Sequence, residues 1–272
     1  MRFFKETTKY VRKNFLRLLP YAILPAVAMA LAGRLGSALT FFFRYSGEVV
    51  SYTVWDIYKY FSVLLSENWL MGLSALIVVG FFMCLMYGAI DRHMKVGKFS
   101  YKNMFSRLNE TVMAVGPAYF VLFALLELVA LLNSSLIFIF TRSMGFNSIY
   151  VAIPITMIMY GCLFLGLTQF VILIPSEIVV GYPFKDAVIN SVRLVSGKIT
   201  TVWWQMLVIV FVPALVSALT ELVFPNRTVV FFVDVAMYLL ILIFTTSYMM
   251  VAYFILSDEP RRDVEEKKKY LT

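Results

Sequence analysis

The sequence predicts an all-α, polytopic membrane protein with six transmembrane helices arranged as three helical hairpins. Of the 272 residues, 61% are hydrophobic and only 15% are charged, whereas soluble globular domains carry about a quarter charged residues. The mean hydropathy of +0.83 indicates more apolar surface than a single core of ordinary size can bury. These observations exclude a soluble enzyme, a disordered chain and a secreted disulfide scaffold.

Long uncharged stretches locate the six spans, because a bilayer core about 30 Å thick requires roughly 20 apolar residues per helix. Four stretches contain no charged residue: 68–90, 143–176, 199–220 and 235–257. A fifth, 111–141, is interrupted only by Glu127, and the shorter stretch 18–33 carries Pro20 and Pro25. We expect one transmembrane domain, 1–256, with helices at about 15–33, 69–90, 111–133, 149–174, 200–222 and 231–256, followed by a charged cytoplasmic tail, 257–272.

Lysine and arginine predict the orientation, because the cytoplasmic loops of membrane proteins carry an excess of both residues. If the N-terminus is cytoplasmic, most of the 24 Lys and Arg residues face the cytoplasm. The exceptions are Arg34, Arg44, Lys59, Arg142 and Arg227. We therefore expect both termini on the cytoplasmic side. The net charge of +8 then serves anionic headgroups and requires no nucleic-acid partner.

Amphipathic segments precede the first, third and fifth spans. Each opens with an aromatic residue, a lysine and a polar residue: Phe4-Lys5-Glu6, Tyr101-Lys102-Asn103 and Phe184-Lys185-Asp186. We expect each to be an interfacial helix with its basic side toward the headgroups, although chance similarity among membrane segments is an open alternative for the repeat. The expected lipid-headgroup or partner contacts are Lys5, Arg12, Lys13, Lys102, Lys185 and Lys198.

The loop between the first two spans, 34–67, has an apolar stripe of its own. Residues at helical spacing form it, with aromatic residues beside them: Val54, Ile57, Tyr58, Phe61, Leu64 and Leu65. This pattern predicts an interfacial helix on the outer face. Two interpretations stay open, a connector that rests on the membrane and a lid or docking element.

The segment 174–198 (IPSEIVVGYPFKDAVINSVRLVSGK) resembles the last cytoplasmic loop of a group of six-helix bacterial membrane proteins. The shared features are Gly181, Ala187, Ser191, Gly197 and Lys198, and the pattern covers most of the chain. The group includes the membrane domain attached to some glycerophosphodiester phosphodiesterases and the YciC-like uncharacterised family. The resemblance implies the six-helix fold and a bacterial plasma membrane. It implies no activity, because this sequence contains no phosphodiesterase domain.

Catalytic chemistry finds little support in the sequence. The single histidine, His93, cannot supply a two-histidine metal motif, and a histidine at the end of a helix is more often a favourable end charge than an acid–base group. Cys84 and Cys162 are isolated and fall inside predicted spans, where a thiol behaves as a small hydrophobe. We expect no enzyme, no catalytic residue, no metal and no cofactor.

Acidic residues inside or beside the spans are candidates for an intramembrane polar site. Glu127 interrupts the third span, Glu221 ends the fifth and Asp234 begins the sixth. One interpretation places these three acids around an outward vestibule for a cation or proton. The other treats them as interfacial carboxylates that pair with Arg34, Arg142 or Arg227.

Two functions follow. The favoured one is a non-enzymatic accessory or scaffold protein that contacts anionic lipid or a partner membrane complex through its basic amphipathic helices. The alternative is a small-solute or ion transporter, or a permease subunit, with Glu127 as its polar site. The expected partners are membrane lipids, together with a membrane protein or further copies of the chain.

Overall fold

The computed structural model describes residues 2–44, 52–63, 69–97, 99, 108–144, 149–224 and 226–265. The described part of the chain contains helices and no strand, and six of its helices are long and apolar enough to cross a membrane. The chain is thus a multi-pass membrane protein. Its helices are α1 (Arg2–Ala32), α2 (Ser37–Arg44), α3 (Val54–Phe61), α4 (Trp69–Val96), α5 (Leu108–Met144), α6 (Ile149–Gln169), α7 (Leu173–Val180), α8 (Phe184–Val195), α9 (Ile199–Val223), α10 (Arg227–Leu256) and α11 (Arg262–Glu265).

The first span is a continuous helix from Arg2 onward, so the prediction of a separate interfacial helix before residue 15 is wrong. Polar residues of its opening turns fold back onto their own helix: the Thr7 hydroxyl donates to the Phe3 carbonyl at 2.9 Å and the Asn14 amide to the Tyr10 carbonyl at 3.1 Å. Such bonds let buried polar side chains remain inside a helix.

Two other predicted spans differ from the structure. The third helix runs to Met144 rather than to 133, because Asn133 and Ser134 are buried inside it and the Ser134 hydroxyl bonds the Ala130 carbonyl at 2.7 Å. The fourth prediction, 149–174, is broken by a turn after Gln169, and α7 follows as a separate helix. The remaining spans lie within α4, α9 and α10.

The other two amphipathic segments have different outcomes. The segment that opens at Phe184 is α8, whose buried face consists of Ala187, Ser191 and Val195. A 3-10 turn, Ser196–Lys198, joins it to α9. The segment that opens at Tyr101, including Lys102, lies outside the described residues.

The main core surrounds α1, which packs between α4 and α10. Ala22, Ala26 and Ala32 on α1, Ala75 on α4 and Ala252 on α10 are almost fully buried. Small side chains of this kind let helix backbones approach closely inside a membrane. In the described residues the six long helices contact in a ring, α1–α4–α5–α6–α9–α10, which closes because α10 returns to α1.

The ring has two chemically different ends. The first, called here the basic end, holds the start of α1, the end of α4, α7, α8, the start of α9 and the end of α10. Tyr10 contacts His93 and Arg261 there, and Lys95 reaches the Val179 carbonyl at 2.9 Å. The second, called the acidic end, holds the end of α1, α2, α3, the end of α5, the end of α9 and the start of α10.

Candidate functional site

Glu127 fastens α3 to α5. Its carboxylate accepts a hydrogen bond of 2.6 Å from the Tyr58 hydroxyl and one of 3.0 Å from the Val63 backbone N–H. Burial, together with the adjacent Glu127 carboxylate, raises the pKa of the Tyr58 hydroxyl, which therefore stays protonated and able to donate. The two donors come from the end of α3 and the residues after it, so Glu127 holds this helix in place.

The predicted stripe of the 34–67 loop is helical over Val54–Phe61, and Leu64 and Leu65 lie outside the described residues. A capping box begins the helix, with Thr53 and Asp56 each satisfying a backbone N–H near its start. Ile57, Tyr58 and Phe61 are buried in a second, smaller core with residues of α2, α5 and α6. The apolar stripe of α3 therefore packs on protein.

Glu221 forms an ion pair with Arg34 at the acidic end. The distance from the guanidinium Nη1 to the carboxylate Oε1 is 2.9 Å, and the Thr40 hydroxyl donates to the second oxygen at 3.1 Å. This confirms the interpretation that Glu221 pairs with an arginine. Gly36 lets the turn before α2 lie close to α9, because a Cβ at this position would lie 2.4 Å from the backbone nitrogen of Ala218.

Asp234 lies beside this ion pair. It is 2% exposed, and it accepts a hydrogen bond from the Ser217 hydroxyl. Glu221 and Asp234 thus lie together, at the junction of α9, α10 and the turn between α1 and α2. Glu127 has its own contacts with α3. The structure therefore divides the three predicted acids between two sets of interhelical contacts.

The predicted headgroup contacts at the basic end point away from the core. Lys5, Arg12, Lys13, Lys185 and Lys198 are exposed. Within the described part of the chain, the first four have no carboxylate partner, while the Lys198 ammonium lies 5.4 Å from the centre of the Phe3 ring. The same helices bury their opposite faces. This arrangement leaves a row of exposed cations that can contact a ligand outside the fold.

The basic end contains a buried polar cluster that the sequence does not predict. His93 is 2% exposed, and its Nδ1 lies 3.0 Å from the Tyr10 hydroxyl. Arg261 forms a bidentate pair with Asp263, with distances of 3.1 and 2.8 Å, and its guanidinium lies 5.8 Å from the Tyr10 ring centre. The start of the charged tail is therefore packed on α1 and α4.

The sequence signal for this cluster is weak. Arg261 and Asp263 stand in a run of mixed charges that is typical of a solvated segment, and the position of His93 indicates only an end charge or an acid–base group. A pattern search along one helix does not register a contact between residues that far apart in the chain. The structure makes all of these side chains part of the fold.

No family model, curated protein or solved structure matches this chain. Among the described residues, no group of three or more His, Cys, Asp and Glu side chains is placed to hold a metal ion. The resemblance to the six-helix bacterial group therefore stays a prediction.

Proposed function

We propose that the chain is a non-enzymatic accessory or scaffold protein of a bacterial plasma membrane that binds anionic lipid headgroups at its basic end. The observation that carries this proposal is the row of exposed cations on α1 and α8 that have no acidic partner in the described residues. The proposal includes an arrangement in three hairpins, cytoplasmic termini, and membership of the six-helix bacterial group that the loop 174–198 resembles.

The two helices that carry these cations are amphipathic, with a buried apolar face and an exposed basic face. On α1, Phe3, Tyr10 and Val11 are buried while Lys5 and Arg12 are exposed. Each basic residue near an anionic membrane surface contributes about 1 kcal/mol to binding. Several such residues on a fixed scaffold therefore make a substantial electrostatic surface, and burial of the apolar faces keeps the cations oriented outward.

Orientation follows from the same charges. Cytoplasmic segments are enriched in Lys and Arg, and the basic end concentrates them, while the acidic end pairs Arg34 with Glu221. We therefore assign the basic end to the cytoplasm, where anionic lipids give the leaflet a negative surface potential. The contacts of Glu127 favour a structural role over a solute-binding one, and they therefore disfavour a transporter with Glu127 as its polar site.

The test is a lipid titration of the full chain in neutral detergent, followed by native mass spectrometry with phosphatidylglycerol as the probe. The variant Lys5→Gln/Arg12→Gln/Lys13→Gln should lower the affinity at least about tenfold, since each cation contributes about 1 kcal/mol. The matched control, Lys59→Gln/Arg142→Gln/Arg227→Gln, removes three exposed charges at the acidic end and should bind as the wild type does.

Equal affinity in the two triple variants would overturn the proposal. A stoichiometric membrane protein that co-purifies from the host and is released by the α1 variant, with phosphatidylglycerol binding unchanged, would reassign the same surface to a protein partner. A solute bound by the wild type and lost in Glu127→Gln would support the transporter instead.

A further inference from the structure

A groove with a volume of about 450 Å³ opens at the basic end between α4, α5 and the junction of α7 with α8. Its walls include Gly88 and Asp91 on α4, Pro117 on α5, Glu177 on α7, and Gly181 and Phe184. Gly181 ends α7 with a φ of 80°, a conformation that glycine adopts without strain, and it turns the chain so that Phe184 reaches the groove.

The two carboxylates in the groove have different surroundings. Asp91 is 2% exposed and pairs with Lys95, whose ammonium lies 3.0 Å from the Asp91 Oδ1 and also donates to the Val179 carbonyl. The half-buried Glu177 carboxylate has no hydrogen-bond or ion-pair partner within the described part of the chain. A partly desolvated carboxylate gains free energy when a cation joins it.

Apart from the hydroxyl-bearing Thr111 and Tyr182, the rest of the lining is small or apolar. Gly88 adds no side chain to the wall of α4, where a Cβ would lie 3.5 Å from the Thr111 Cγ2. The exposed Met113 and Phe184 side chains present apolar surface at the groove. Pro117 has no N–H and so cannot bond the Met113 carbonyl four residues earlier, as a helical residue would. The groove therefore offers acceptors and an apolar wall, which together suit a hydrogen-bond donor with positive charge and an apolar body.

We propose that this groove binds the protonated amine of an amphiphile, with the ammonium on Glu177 and the alkyl portion along α4 and α5. Ligand sites of this kind are concave and mostly apolar, with a few polar groups that fix orientation, and the groove lies within their usual range of volume. The site goes beyond the proposed function, since it selects a cation whereas the surface of α1 and α8 selects anions.

The experiment titrates the full chain in neutral detergent with two probes, phosphatidylethanolamine and dodecylamine, and measures binding by native mass spectrometry. Glu177→Gln keeps the shape of the side chain and should weaken binding of the probe about fivefold, because a charge-assisted hydrogen bond is lost. The matched control is Asp186→Asn, which removes an exposed acid of α8 at the same end and should leave binding unchanged.

A second pair of variants tests the groove itself. Gly88→Leu places a side chain in the groove, whereas Gly80→Leu places the same side chain two turns earlier on α4, where an added Cβ would meet no other atom within 4 Å. Only Gly88→Leu should abolish binding of the probes. Binding of phosphatidylethanolamine identifies a lipid headgroup as the source of the amine, and binding of dodecylamine alone identifies a free amphiphilic amine.

Wild-type affinity for both probes in Glu177→Gln, or equal losses in Gly88→Leu and Gly80→Leu, would overturn the assignment. Phosphatidylglycerol is titrated in parallel, because its binding depends on the α1 cations and not on Glu177. A failure of the groove is thereby distinguished from a failure of the anionic-lipid surface.

Discussion

The paired acids at the acidic end and the exposed cations of α1 at the basic end have opposite surroundings. At the acidic end, Arg34 meets Glu221 at 2.9 Å and Glu127 accepts two hydrogen bonds from α3 and the residues after it. At the basic end, Lys5, Arg12 and Lys13 are exposed on one helix without carboxylate partners in the described residues.

The difference separates charges that hold the fold together from charges available to something else. A polar group inside a bundle costs free energy unless a partner satisfies it, so the pairs at the acidic end connect helices. An exposed lysine has no such constraint and contributes little to stability. Substitutions of the paired acids at the acidic end should therefore change unfolding, while substitutions of the exposed cations on α1 should change binding.

Gly36→Ala should produce the largest effect on stability. A Cβ there would lie 2.4 Å from the Ala218 nitrogen and 2.6 Å from its Cα, and since both atoms belong to the backbone, the turn before α2 must move away from α9. We expect a loss of about 1–3 kcal/mol, typical of overpacking, measured as a lower thermal unfolding midpoint in detergent. Gly161→Ala, with open space at its Cβ, should unfold at or slightly above the wild-type temperature.

An unchanged midpoint in Gly36→Ala would mean that α2 does not depend on its close approach to α9. The paired charges at the acidic end would then not hold α2 against α9, because Gly36 lies between Arg34 and Thr40, both of which contact Glu221.

Glu127→Leu should have a more local effect, concentrated on α3. The Tyr58 hydroxyl and the Val63 N–H would lose their acceptor, and a buried donor left unsatisfied costs about 1–3 kcal/mol. Hydrogen exchange of the α3 amides measures the loss of protection directly. A double-mutant cycle with Tyr58→Phe should give a coupling energy of about 1 kcal/mol. The control cycle with the exposed Tyr150→Phe should give none. Equal coupling energies in the two cycles would show that Glu127 does not hold α3 in place.

Acidification should give the smallest effect. The Thr53 hydroxyl and backbone N–H donate to the Asp56 carboxylate at 2.7 and 3.0 Å and hold the pKa of Asp56 below its ordinary value. Because a lowered carboxyl pKa stabilises the fold above the unfolded pKa, the contribution to α3 is complete above about pH 4 and is lost as the pH falls through the folded pKa.

The measurement is hydrogen exchange of the α3 amides, corrected for the intrinsic pH dependence of exchange, between neutral pH and about pH 3. Asp56→Asn should flatten the profile, while Asp186→Asn on α8 should leave it as in the wild type. A wild-type profile that is already flat would show that the capping box adds nothing to the order of α3.

Composition and hydropathy predict the part of the fold that depends on local chemistry. Six long apolar helices and a helix at Val54–Phe61 follow from the length of uncharged stretches and from apolar spacing, which each helix carries in its own residues. Helix boundaries are less predictable. Pro20 and Pro25 suggest uncertain ends for the first span, yet both lie inside α1, because such prolines are tolerated where surrounding helices and polar side chains satisfy the backbone.

Contacts between distant residues are not predictable in the same way. The pairing of Glu221 with an arginine can be anticipated, since few opposite charges are available at that depth. The partner of Glu127 cannot, because an apolar stripe on α3 fits a lipid surface and a protein surface equally well. Glu177 carries no signal in the sequence, because its importance depends on a groove formed by α4, α5 and α7.

The closure of the ring has a consequence for biosynthesis. A chain is synthesised from its N-terminus, so α1 enters the membrane before α10, the helix with which it makes its largest contact. The buried alanines of α1 must therefore remain in contact with lipid or with α4 until α10 has been translated. Stop codons placed before α10 should leave α1 incompletely packed and open to quality-control proteases, whichever other helices have already assembled.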